Sequence, residues 1–129
     1  VTGARVCGPN VFYNCTAQQT HADIGPHHRW ASGTLYDNIV TDGEINVQDR
    51  GNYGSGHGWA GVTQIVWNCT AKNAAVQSPW VSGKNYCIGL KGKQSTGLFK
   101  DRQDGEWELM NQTAEPASLY MAQLKARQR

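Results

Sequence analysis

Apolar residues along this chain come in short bursts rather than in long amphipathic stretches. Residues 12–17, 34–40 and 63–69 are strand-like runs, 44–48 alternates polar and apolar positions, and 85–90 is a further short strand. Ala75-Val76-Gln77 resembles Ile45-Asn46-Val47-Gln48, so a second strand recurs as well. Gly25-Pro26, Asp42-Gly43 and Lys72-Asn73 read as breaks or turns, and residues 49–58 form a Gly-rich loop. After Gly92 the pattern is lost: 93–105 is polar, and 106–110 fits one last strand. Only the end of the chain has helical spacing. Glu115-Pro116-Ala117-Ser118 suits a helix start, Tyr120 and Leu124 make an i, i+4 line, and Lys125, Arg127 and Arg129 sit at the negative end.

The bursts belong to a repeat. His28-Arg29-Trp30-Ala31-Ser32-Gly33-Thr34-Leu35-Tyr36-Asp37-Asn38-Ile39 returns as His57-Gly58-Trp59-Ala60-Gly61-Val62-Thr63-Gln64-Ile65-Val66-Trp67-Asn68-Cys69, with the histidines 29 residues apart. An earlier half-copy, Val11-Phe12-Tyr13-Asn14-Cys15-Thr16-Ala17, matches the end of the phrase. The closing asparagines, Asn14, Asn38 and Asn68, are spaced 24 and 30 residues apart. A period of about 20–50 residues signals stacked repeats, each burying its apolar face against its neighbours. The expectation is that these asparagines stack in one ladder, each bonding the turn of the next.

That stacking bears on the four cysteines. Cys15 and Cys69 would lie two strand spacings apart, about 10 Å, beyond disulfide reach. Cys7–Cys15 and Cys69–Cys87 pairings, or buried free thiols, stay open. Fifteen glycines suit turns and short strands, and a net charge of +2 with no dense basic cluster argues against a nucleic-acid partner. No apolar run is long enough to span a membrane. Without a signal peptide the chain reads as cytosolic or already processed. Three Asn-x-Thr sequons, at Asn14, Asn68 and Asn111, favour secretion, with Asn111 the best glycan acceptor because the other two belong to the repeat.

Short strands in turns of two to three dozen residues imply an all-β chain: a right-handed parallel β-helix of about four coils with a short C-terminal capping helix. The parts are coils over 1–92, a surface excursion and last strand over 93–114, and a helix over 115–129 packing on the last coil. The phrases Trp30–Asn38 and Arg50–Gly61, and the ending Pro116–Leu124, resemble the carboxy-terminal coils of secreted pectate-lyase-superfamily β-helix proteins. The resemblance implies an extracellular protein that cleaves or binds acidic polysaccharide. It departs from complete members, which begin with a cap and several further coils. A bare first coil exposes strand edges. The chain is therefore expected to be the carboxy-terminal part of a larger protein, or one chain of an assembly, and to be aggregated or poorly folded alone.

Candidate chemistry gathers at the repeat. Eliminating a uronide takes a base for the C5 proton and a cation for the carboxylate as it gains enolate character. His28 and His57, with Arg29 and Arg50, are the candidate catalytic residues, and Trp30, Trp59, Tyr53 and His27 the candidate sugar-binding ones. The competing explanation for the histidines is a repeat-encoded ladder bonding backbone in tight turns. A hydrolase would need paired carboxylates among Asp23, Asp37, Asp42, Glu44 and Asp49, most of them near turns. No cofactor is expected; calcium at Asp42, Glu44 and Asp49, or a metal at His21, His28 and His57, lacks a motif. The alternative function is a structural module that stacks on a partner chain in an extracellular assembly.

Overall fold

The computed structural model describes residues 7–27, 30–51, 58–79 and 83–128. Among these the chain is strand-rich, with two parallel sheets and one short C-terminal helix. One sheet has the order β1 (Cys7–Tyr13), β3 (Ala31–Asp37), β7 (Ile65–Trp67), β9 (Tyr86–Ile88) and β11 (Glu106–Glu108), with β6 (Gly61–Val62) also on β3. The other has the order β2 (Thr16–Ala17), β4 (Val40–Thr41), β8 (Thr70–Val76) and β10 (Lys91–Gln94), with β5 (Glu44–Val47) also on β8.

The chain crosses from the first sheet to the second at a corner, and the corner is where the repeat is written. Asn14, Asn38 and Asn68 have φ of 54°, 57° and 49°, a left-handed conformation that asparagine tolerates better than most residues. They are not strand residues, as the runs 12–17, 34–40 and 63–69 suggest, but the bends that divide those runs. Their backbone N–H groups donate to Asp37, Trp67 and Ile88 oxygens of the next pass at 2.8, 2.9 and 2.9 Å. The asparagines therefore share one column, as expected.

The column does not stop at Asn68. Gly89 (φ 74°) and Leu109 (φ 55°) take the same corner, and Gly89 N–H donates to Glu108 O at 3.0 Å. Among the described residues the first sheet thus continues through β11 as a fifth pass, while the second sheet keeps four rungs, in line with about four coils. Each corner sits inside one short phrase, apolar-x-corner-apolar: Phe12/Cys15, Tyr36/Ile39, Val66/Cys69, Cys87/Leu90 and Trp107/Met110. Most of these side chains point inward and, with Ile45, Val47, Ala71, Ala74 and Val76, form the core between the sheets.

Two further expectations change. Lys72 and Asn73 do not turn but lie inside β8, because the neighbouring backbone supports a continuous strand: Lys72 N–H donates to Gly43 O at 2.9 Å across the break between β4 and β5. Cys69 and Cys87 are buried free thiols that do not pair with each other, and Cys7 and Cys15 are exposed. Burial pushes the Cys69 thiol up to about 11 and the Cys87 thiol to about 12.

The helix, α1 (Leu119–Arg127), begins after Ser118 and not at residue 115. Ser118 Oγ caps it by accepting from Met121 N–H at 3.0 Å, and the Asp37 carboxylate accepts from Tyr120 N–H at 2.7 Å. Nor does it pack on the last pass. Residues 114–120 run back along the corner column: Ala114 bonds Asn68, the Ala117 carbonyl accepts from both Asn68 and Asn38, and Tyr120 meets Tyr13 in a tilted contact with ring centroids 5.4 Å apart. The corner amides and Asp37 are polar groups in need of partners, and this segment supplies them. The Asn38 and Asn68 side chains thus bond a strap rather than one another.

Candidate functional site

Arg50, cast as a cation for substrate, is only 6% exposed. Its Nη2 donates to Asp23 Oδ2 at 2.5 Å and its Nε to Pro26 O at 3.3 Å. Asp23 also receives Asn46 Nδ2 at 3.0 Å and faces His27 Nε2 at 3.0 Å. Burial pushes the Asp23 carboxyl up, but the hydrogen bonds from Arg50, Asn46 and His27, with the Arg50 charge, together hold it below its ordinary 3.8. Arg50 is therefore the buried half of an internal ion pair, with its guanidinium committed inside the protein. The glycine-rich loop is what brings it there: Arg50 N–H donates to Gly58 O at 2.7 Å, closing the loop's two ends together.

Trp30 and Trp59 are joined through the backbone, and the register places Trp30 opposite Ala60 rather than Trp59. Trp30 N–H donates to Trp59 O at 2.9 Å; Trp30 is 39% exposed and Trp59 half-buried. His27, partly exposed beside Asp23, lies on the same connecting segment three residues before Trp30. His28, Arg29, Tyr53 and His57 lie outside the described residues. The pairing register sets Ala31 against Gly61, an offset of 30 that moves the phrase by one residue from the histidine alignment of 29.

The candidate acids have separate duties. Asp42 accepts from Gln19 N–H at 2.5 Å and Thr20 N–H at 3.2 Å, Glu44 accepts from Asn46 at 3.1 Å, and Asp49 pairs with Arg102 at 2.8 Å. Arg102 was not singled out by the sequence; its guanidinium also lies 4.9 Å from the Phe99 ring centre. Asp37 is fully buried under the strap, and His21 is exposed. Among the described residues no three His, Cys, Asp or Glu converge as a metal site. Of the sequon asparagines, Asn68 is buried with its amide committed to Ala114 and Ala117, whereas Asn14 and Asn111 are exposed.

A family model described as a domain of unknown function, DUF4955, matches residues 2–129. The chain belongs to the DUF4955 family. No curated protein and no solved structure matches it.

The two ends of this DUF4955 stack differ. At the last pass, β11 is three residues long and turns Glu106 and Glu108 to solvent, a charged edge that resists pairing. At the first pass, β1 is seven residues long, and Val11, Phe12 and Tyr13 are 38%, 39% and 40% exposed. Phe12 stacks on Tyr36 with centroids 5.7 Å apart. Beside it an apolar pocket of about 180 Å³, lined by Phe12, Ala17, Ile24, Tyr36 and Ile39, opens the core to solvent.

Proposed function

We propose that this chain is the carboxy-terminal section of an extracellular right-handed parallel β-helix, seated through β1 on further passes of the same protein or of another chain. The observation that carries the reading is the long, apolar, uncovered first strand above an open core, opposite a short acidic last strand. Each pass in such a stack buries its apolar face only against the next. Residues 1–129 alone are expected to self-associate as concentration rises, and Phe12→Lys should suppress this. Analytical ultracentrifugation decides: a monodisperse, cooperatively melting monomer at all concentrations would sink the seating reading.

A second reading concerns ligand. The exposed Trp30, bonded through its backbone to Trp59 and three residues after His27, suits stacking on a sugar ring, and the resemblance to pectate-lyase-superfamily proteins supports an acidic polysaccharide. With Arg50 committed to Asp23, this surface favours binding over elimination. Glycans at Asn111 and Asn14 belong to the same extracellular proposal. Trp30→Ala is expected to weaken binding of a uronic-acid oligosaccharide about tenfold, the scale of one lost aromatic contact. Binding of a uronate through a histidine cation should weaken as pH rises through the ordinary imidazole range, since only the cation attracts a carboxylate. An eliminating base must be neutral, so lyase activity would rise over the same pH range. Calorimetry and product absorbance across pH separate the two; undiminished binding by Trp30→Ala would remove the tryptophan surface.

A further inference from the structure

The strap has a direction. Trp67 Nε1 donates to Pro116 O at 2.9 Å at the third pass. Ser118 Oγ donates to Asp37 Oδ2 at 3.0 Å at the second, and Tyr120 reaches Tyr13 at the first. Trp67, Asp37 and Tyr13 are one outward column, the residue before each corner. The strap climbs it rung by rung, so the chain beyond Tyr120 starts at the level of the open pass.

What starts there is a helix held only at its first turn among the described residues. Leu119–Arg127 is nine residues long and buries none of them, and Met121 is 43% exposed. A helix this short is marginal in water unless an apolar face is packed. Its flank, with Pro116, Ser118, Met121, Ala122, Leu124 and Lys125, borders an open groove of about 550 Å³.

We propose that α1 is a clasp, laid across the outward face of the pass that covers β1. The inference rests on the seating reading above and adds a second surface to it. The occupant is a parallel strand in the same parallel ladder as β1, β3, β7, β9 and β11. Its recognisable phrase is the one this chain uses five times: apolar, any residue, a left-handed corner favouring Asn or Gly, apolar. The two apolar residues enter the open core over Phe12 and Ile39. The residue before the corner meets Met121 and Leu124, as Tyr13 meets Tyr120 one rung below. Backbone pairing along β1 sets the register, and the helix closes over the outside.

A synthetic peptide of residues 61–76 is a suitable probe, because its residue before the corner is Trp67 and in this chain that segment already lies in parallel on β3, β4 and β5. It is added, fluorescently labelled, to the full chain in dilute solution. Uptake is expected to protect the amides of both β1 and Leu119–Arg127 from hydrogen exchange. Met121→Glu combined with Leu124→Glu should weaken uptake about tenfold or more, since two apolar contacts are lost. The melting transition of the free chain should not move, because neither side chain is buried in it. Undiminished uptake by the helix variant, or protection confined to β1, overturns the clasp and leaves the seating. No uptake by the unmodified chain overturns both.

Discussion

Asp23→Ala is expected to destabilise the protein by about 3–5 kcal/mol, the cost of leaving one partner of a buried ion pair behind. Arg50 is almost wholly enclosed, and its other described side-chain partner is a single carbonyl at 3.3 Å. The pair is not in itself strong evidence for stability, since an apolar pair of similar volume often does as well. Asp23→Ala with Arg50→Met should therefore recover much of the loss. The pH dependence has a definite sign. Asp23 titrates below its ordinary 3.8 in the folded state, so its contribution is present above that value. It is lost as pH falls through the lower folded value. Acid unfolding of the native chain should show this contribution, and the double variant should lack it. Urea titrations at neutral and acid pH measure both, and a single-variant loss below about 1 kcal/mol would show that water reaches Arg50 freely.

Asn68→Ala is expected to cost about 3 kcal/mol, combining orphaned buried groups at about 1–3 kcal/mol with left-handed strain at about 1–2. Asn68 makes three hydrogen bonds to the strap: Nδ2 to Ala114 O and Ala117 O, both at 3.0 Å, and Oδ1 from Ala114 N–H at 2.8 Å. Ala114 is buried, so its N–H and carbonyl cannot turn to water instead. Asn68→Gly keeps the corner conformation and removes only the side-chain bonds. It should therefore fall between the native chain and Asn68→Ala. Equal losses for alanine and glycine would mean that the strap alone matters, and no loss for glycine that only the bend does. Asn38→Ala, which removes one bond to the strap at 2.8 Å, should cost less.

The column of asparagines was legible because the same residue meets the same backbone demand three times. Its continuation was not. Gly89 and Leu109 meet that demand with other side chains, glycine because a Cβ there would collide with Asn68 Oδ1. The apolar residues after them, Leu90 and Met110, were the available signal. The strap was hidden for a different reason: Asp37, Asn38 and Asn68 bond residues 46 to 83 positions away, and no local pattern encodes such a pairing. The same holds for Arg50 and Asp23, 27 residues apart in two loops that read as surface. The repeat placed Trp30 and Trp59 on neighbouring segments, joined by a backbone bond but one residue out of register. The histidines' phase depends on a one-residue difference that only strand register resolves.

The corner column also divides the chain into parts with different freedom to change. One residue always separates a corner from the next strand: Cys15, Ile39, Cys69 and Leu90. The return from the second sheet to the first takes 13 residues in 18–30, 13 in 48–60, 9 in 77–85 and 11 in 95–105. An extra residue at a corner would flip the strand beyond it and turn its core side chains outward. An extra residue in the exposed stretches of a return, away from buried residues such as Arg50, Gln77 and Asn85, leaves both sheets in phase, and such surface segments tolerate insertion well. Heritable length variation in this family therefore has one side of the molecule on which to accumulate. That side carries His27, Trp30 and Trp59, so the surface proposed for ligand lies where length can vary while the stack beneath keeps its count.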